Sequence, residues 1–126
     1  MRISPVTEHD RKQHEDVRYR LLKLLENNPD MSQRDLAKAV GIGLGSVNYC
    51  VKALVDRGLI KLGNFSSTRN KRGYAYILTP KGMSEKTFLA GRFLQRKKIE
   101  YETIKAEIRS LQTELAQGDS ESWGRV

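Results

Sequence analysis

The chain has 126 residues, room for one compact domain and one extended element, which excludes a multidomain enzyme. Hydrophobic residues make up 38% and charged residues 30%, and the formal net charge of +8 favours a polyanionic partner, because neutralised phosphates release counterions. Nucleic acid leads and an anionic membrane surface follows; no run approaches the roughly 18–20 apolar residues needed to cross a bilayer. Cys50 is the single cysteine and cannot form an intramolecular disulfide. The N-terminus, Met1-Arg2-Ile3-Ser4-Pro5, lacks the apolar run of an export signal, so the expected location is the cytoplasm.

Residues 1–13 are polar and carry no sustained apolar period, which predicts a flexible arm. From His14 the pattern changes: Val17, Leu21, Leu24 and Leu25 fall on one helical face, and Asn27-Asn28-Pro29-Asp30 stops the helix. Ser32 with Asp35 three positions later resembles a capping box, and Met31 with Leu36 resembles a hydrophobic staple. They open a second, short helix that buries Leu36, Ala37 and Val40 and ends at Gly41. After Gly41-Ile42-Gly43 a third helix runs to about Arg57, with Val47, Val51 and Leu54 inward and Gly58 placed as the cap beyond its end.

Leu59-Ile60-Lys61-Leu62 and Tyr74-Ala75-Tyr76-Ile77-Leu78 read as two strands, with residues 63–73 as a long hairpin tip. Thr79 and Pro80 serve as N-cap and first residue of a final helix, predicted to reach about Ala116 and to be followed by a disordered tail over 117–126. The expected organisation is an arm (1–13), a winged helix-turn-helix (14–79), a long dimerisation helix (80–116) and the tail. The fold class is mainly α with a small β-hairpin.

In a helix-turn-helix the two helices cross closely, so the second needs a small residue at the contact, a glycine in the turn and an apolar plug after it. Ala37, Gly41 and Ile42 meet those demands in order. The third helix then turns Leu44, Gly45, Ser46, Asn48, Tyr49 and Lys52 outward, toward a major groove. Asn can bind adenine in bidentate fashion, Ser can reach a base edge or a phosphate, and Leu can touch a thymine methyl. Asn48 is the leading base reader; Tyr49 and Lys52 suit phosphates. Between Ser32 and Gly82 nine basic residues stand against two acidic ones. Arg69, Lys71 and Arg72 cluster at the expected wing tip, within reach of the minor groove or its phosphates.

The stretch Leu36 to Ile60, above all Leu36-Ala37, Val40-Gly41-Ile42, Val47, Leu54 and Arg57-Gly58-Leu59-Ile60, resembles the MarR-type winged-helix core. Leu78-Thr79-Pro80-Lys81-Gly82 resembles that family's strand-to-helix junction. Chain length and the single long C-terminal helix are similar to the exopolysaccharide-associated subgroup. The resemblance implies a transcription regulator binding double-stranded DNA, near surface polysaccharide genes. Typical members place an N-terminal helix in the dimer interface and often bind a small ligand beside it. Residues 1–13 are too short and polar for that helix, so the pocket is not carried over and an effector stays unknown.

Ala90, Leu94, Tyr101, Ile104, Ile108, Leu111 and Leu115 alternate four- and three-residue spacings, interrupted by Lys97, which is a coiled-coil seam. From Phe88 to Leu115 the helix would span about 42 Å, too long for one small domain to cover. A homodimer on a pseudo-palindromic operator is expected, with the strand orientation open. Phe88 and Phe93 lie off the seam, available to the winged domain.

The glycine run Gly41-Ile42-Gly43-Leu44-Gly45 superficially resembles a phosphate loop, but no strand precedes it and no Lys-Ser/Thr pair follows. Cys50 reads as a packed residue, and His9 and His14 in a mobile arm do not make a metal site. No nucleophile, base and orienting group assemble, so neither catalysis, metal nor cofactor is expected. The other function class open to this fold is a protein-docking adaptor that lacks specific DNA binding.

Overall fold

The computed structural model describes residues 8–64 and 74–123, in the order α1 (Glu8–Asn27), α2 (Gln33–Val40), α3 (Leu44–Asp56), β1 (Ile60–Asn64), β2 (Tyr74–Leu78) and α4 (Pro80–Trp123). The architecture is mainly helical with a two-stranded antiparallel hairpin, a winged helix-turn-helix followed by a long C-terminal helix. Two units form along the chain, one through Phe93 and one from Leu94 onward.

The core of the first unit follows from the apolar spacing of its helices. Leu21, Leu22 and Leu25 of α1, Leu36 of α2, and Val47, Val51 and Leu54 of α3 are buried together with Leu59, Ile60 and Leu89. Ala37 and Ile42 pack against this cluster, as the close crossing of α2 and α3 requires.

Local chemistry sets the helix ends. The Ser32 hydroxyl accepts from the Asp35 N–H at 3.1 Å while the Asp35 carboxylate accepts from the Ser32 N–H at 3.2 Å, a reciprocal capping box. Ser32→Ala should therefore lower unfolding stability by about 1 kcal/mol, read from urea denaturation of the full chain. An unchanged midpoint would show that water replaces the cap. Gly41 ends α2 in the left-handed region at φ 80°, which a residue with a Cβ rarely adopts, and Gly43 is the N-cap of α3. Two glycines of the run thus serve helix ends, which accounts for their spacing without a nucleotide. Gly58, at φ 72°, turns the chain from α3 toward β1, as expected.

Strand pairing runs Ile60 to Leu78, Lys61 to Ile77, Leu62 to Tyr76, Gly63 to Ala75 and Asn64 to Tyr74. The first strand therefore begins one residue later and ends two later than the sequence pattern predicts. Leu59 is not in the ladder: its N–H donates to the Leu54 carbonyl at 2.9 Å and its carbonyl accepts from Thr79 N–H at 3.1 Å, which ties the end of α3 to the start of α4. Tyr76 N–H bonds the Pro29 carbonyl at 3.2 Å, fixing the hairpin to the α1–α2 turn.

Two boundary expectations are corrected. Helix α1 starts at Glu8, so residues 8–13 of the expected arm are helical. Their polar side chains give no apolar period, which marks a buried face rather than a helix as such. Helix α4 continues to Trp123, so residues 117–123 of the expected tail are helical too. Gly118 is a single helix-weakening residue, worth about 1 kcal/mol, and no proline follows to end the helix.

The first turns of α4 belong to the first unit. Leu89 is fully buried, and the Phe93 ring lies 5.2 Å from that of Tyr19. Arg92 grips Glu15 of α1 through Nε and a terminal nitrogen at 2.6 and 3.0 Å, and Lys86 pairs with Glu26. Exposed pairs of this kind contribute at most about 1 kcal/mol each, so Leu89 is the stronger anchor. Phe88 does not pack on the winged unit; it is exposed, with the Arg92 guanidinium carbon 5.9 Å from its ring centre.

Candidate nucleic-acid interface

Because Val47, Val51 and Leu54 recur at spacings of four and three, burying them turns the opposite side of α3 to solvent. Leu44, Gly45, Ser46, Asn48, Tyr49 and Lys52 are all exposed, Tyr49 by 76%. The structure thus brings the six recognition-helix candidates onto one accessible helix. Arg34 and Lys38 of α2 and Arg57 at the end of α3 are also exposed.

The N-terminus of α3 differs from that of α2. Its N-cap is Gly43, which offers no side-chain cap. The N–H groups of the first turn are therefore not occupied by a capping side chain, and they carry the positive end of the helix dipole. Gly45 sits in that turn with open space where a Cβ would be, so internal packing does not demand glycine there.

Asn48 is not isolated. Its Nδ2 donates to the Gln33 Oε1 at 3.2 Å, and the Gln33 Nε2 donates to the Tyr76 hydroxyl at 3.4 Å. This chain of polar groups runs from the hairpin through the first residue of α2 to the recognition helix. It leaves Asn48 its Oδ1 and one N–H, the acceptor and donor that a bidentate contact with adenine uses. Sequence reasoning did not single out Gln33 or Tyr76. Gln33 lies fifteen residues from Asn48 and Tyr76 forty-three from Gln33, and only the fold makes these pairs neighbours.

Arg69, Lys71 and Arg72 lie outside the described residues. Cys50, on the half-buried side of α3, borders a cleft of about 620 Å³ between α1 and α3 that Val17, Arg18 and Tyr49 also line. Burial pushes the Cys50 thiol above its ordinary pKa, which disfavours the reactive thiolate. Among the described residues there is no cluster of His, Cys, Asp and Glu suited to a metal ion, and no helix is long and apolar enough to cross a membrane.

A helix-turn-helix whose second helix is exposed along one side, followed by an antiparallel hairpin, defines a winged helix-turn-helix. Residues 15–61 match the family model described as winged helix-turn-helix DNA-binding. Among solved structures, the PcaV transcriptional regulator from Streptomyces coelicolor, determined with its natural ligand, is 17% identical over 96% of this chain and 98% of its own, with a TM-score of 0.60. A mutant of MepR from S. aureus is 20% identical over 85% and 91% of the two chains, with a TM-score of 0.55. A MarR family transcription regulator is 16% identical over 91% and 80%, also at 0.55. Likeness at these identities concerns the fold, which is MarR-like along nearly the whole chain. No curated protein matches the sequence.

Proposed function

We propose that this chain is a transcription regulator that reads double-stranded DNA in the cytoplasm as a homodimer, with α3 in the major groove and the wing on the flanking backbone. The observation that carries the reading is the exposed row on α3, centred on Asn48, in a segment that matches a DNA-binding family model. The basic excess between Ser32 and Gly82 supports it, since cations on the same unit would supply the nonspecific part of the affinity. Arg69, Lys71 and Arg72 enter on sequence alone. The resemblance to exopolysaccharide-associated regulators adds surface polysaccharide genes as the targets.

Fluorescence anisotropy across a salt series, with fragments from upstream of the protein's own gene and with random DNA, tests the reading. The expected result is preferential binding of one fragment, with log affinity falling linearly against log salt. Arg69→Ala and Arg72→Ala should each make that slope shallower by about one unit while leaving the ratio of specific to random binding unchanged. No binding to any fragment at low salt would favour the docking adaptor instead. Genome-wide mapping of bound DNA tests the assignment to polysaccharide genes, which peaks confined to other loci would refute.

A further inference from the structure

The second unit carries an apolar stripe that is exposed among the described residues. Leu94, Tyr101, Ile104, Ile108, Leu111 and Leu115 are between 48% and 67% exposed. In heptad terms Leu94, Tyr101, Ile108 and Leu115 hold the a positions, and Ile104 and Leu111 hold d, with Lys97 at the first d. Lys97 is drawn to the flank of the seam by Glu100, 3.1 Å away, which lets a cation occupy that layer.

The flanks are segregated by charge. From Leu94 onward the g positions are acidic, Glu100, Glu107 and Glu114, while the e positions are Lys98, Lys105, Gln112 and, past the last apolar layer, Asp119. Lys105 lies along the seam edge, its Nζ 5.3 Å from the centre of the Tyr101 ring, and is half-buried among exposed neighbours. In a parallel coiled coil a g side chain meets the e side chain five residues on in the other helix. In an antiparallel one, g meets g and e meets e. These flanking charges therefore select the orientation.

Resting on the homodimer reading above, we infer that this stripe pairs with a second copy of the chain in parallel and in register. In that arrangement Glu100 of each copy faces Lys105 of the other, twice by symmetry, and Glu107 faces Gln112. The next pair, Glu114 with Asp119, sets acid against acid and falls beyond Leu115, the last apolar layer, so the favourable contact rests on Glu100 and Lys105. An antiparallel pair also matches the apolar layers, setting Tyr101 against Leu111 and Ile104 against Ile108. It then places glutamates opposite glutamates along one flank and Lys105 opposite Lys105 on the other. Apolar contact is available both ways, so charge decides.

Sedimentation equilibrium on the full chain at low salt provides the first test. Glu100→Lys should weaken the dimer roughly tenfold, and Glu100→Lys with Lys105→Glu should recover most of it, with both effects shrinking at high salt. The double variant matters because the first change also removes the Lys97 ion pair within the chain, which the second does not restore. Tighter or unchanged association for Glu100→Lys overturns the orientation, since an antiparallel pair would be relieved of a glutamate repulsion.

Disulfide trapping provides the second. Chains carrying Tyr101→Cys and chains carrying Leu111→Cys, both on a Cys50→Ala background, are mixed and mildly oxidised. The parallel pair yields disulfides between identical positions. A predominant mixed product joining 101 to 111 overturns the orientation alone, whereas a wild-type monomer at tens of micromolar overturns the dimer itself.

Discussion

Gly82→Ala is expected to be the most damaging small substitution in the winged unit. Gly82 is buried in the first turn of α4, and a Cβ there would lie 1.9 Å from the Leu59 carbonyl oxygen and 2.9 Å from its carbon. The obstacle is backbone, so no side-chain rotation relieves it. The Leu59 carbonyl also accepts from Thr79 N–H, and the Thr79 hydroxyl accepts from Gly82 N–H at 3.0 Å as the N-cap of α4. Moving Leu59 away from the new methyl therefore loosens the cap. Overpacking of this kind costs about 1–3 kcal/mol, and the coupled cap places Gly82→Ala toward the upper end. At roughly 4–8 °C per kcal/mol for a domain of this size, the melting temperature should fall by about 10–20 °C. Gly91→Ala is the control. It lies within α4 with nothing within 4 Å of the added carbon, and it should stabilise by up to about 1 kcal/mol. Equal effects of the two would mean that the junction yields more readily than its hydrogen bonds indicate.

On the DNA side, Asn48→Ala should cost about 1–3 kcal/mol of discrimination between the operator and an operator changed at the contacted base pair, or about 5–150-fold. Gln33→Ala should cost less, a severalfold loss, because it frees the Asn48 amide rather than removing it. Its effect should vanish in the Asn48→Ala background, since residues in one hydrogen-bond network are not additive. The readout is the ratio of dissociation constants for the two DNAs, with circular dichroism confirming the fold. Additive losses would assign Gln33 a contact of its own, and equal losses on operator and random DNA would remove Asn48 from base reading.

The elements that sequence described well are those with a local physical cause. Ser32 and Asp35 are three residues apart, Gly41 and Gly58 need only their own backbone angles, and the inner stripe of α3 is a matter of period. Proline at position 80 after Thr79 likewise marked the start of α4 without knowledge of the rest of the chain. The strand bounds were less legible, because the Leu59 carbonyl could be drawn either into a ladder or toward Thr79, and Thr79 is twenty residues away. Helix ends at Glu8 and Trp123 were misjudged for a different reason: exposed helical turns carry no apolar signature.

Sequence by itself determined the order of elements, the identity of the exposed row on α3 and the heptad that runs from Leu94 to Leu115, since all three depend on spacing along one helix or on local caps. Tertiary structure alone decided that α4 is shared between two units, its first turns sealing the core through Leu89 while the stripe beyond Phe93 is exposed among the described residues. It also decided that Gly82 touches the Leu59 carbonyl and that Asn48 leans on Gln33 and Tyr76. The physical reason is sequence distance: such contacts join residues fifteen to more than forty positions apart, and no local period or propensity encodes which distant group a side chain will meet.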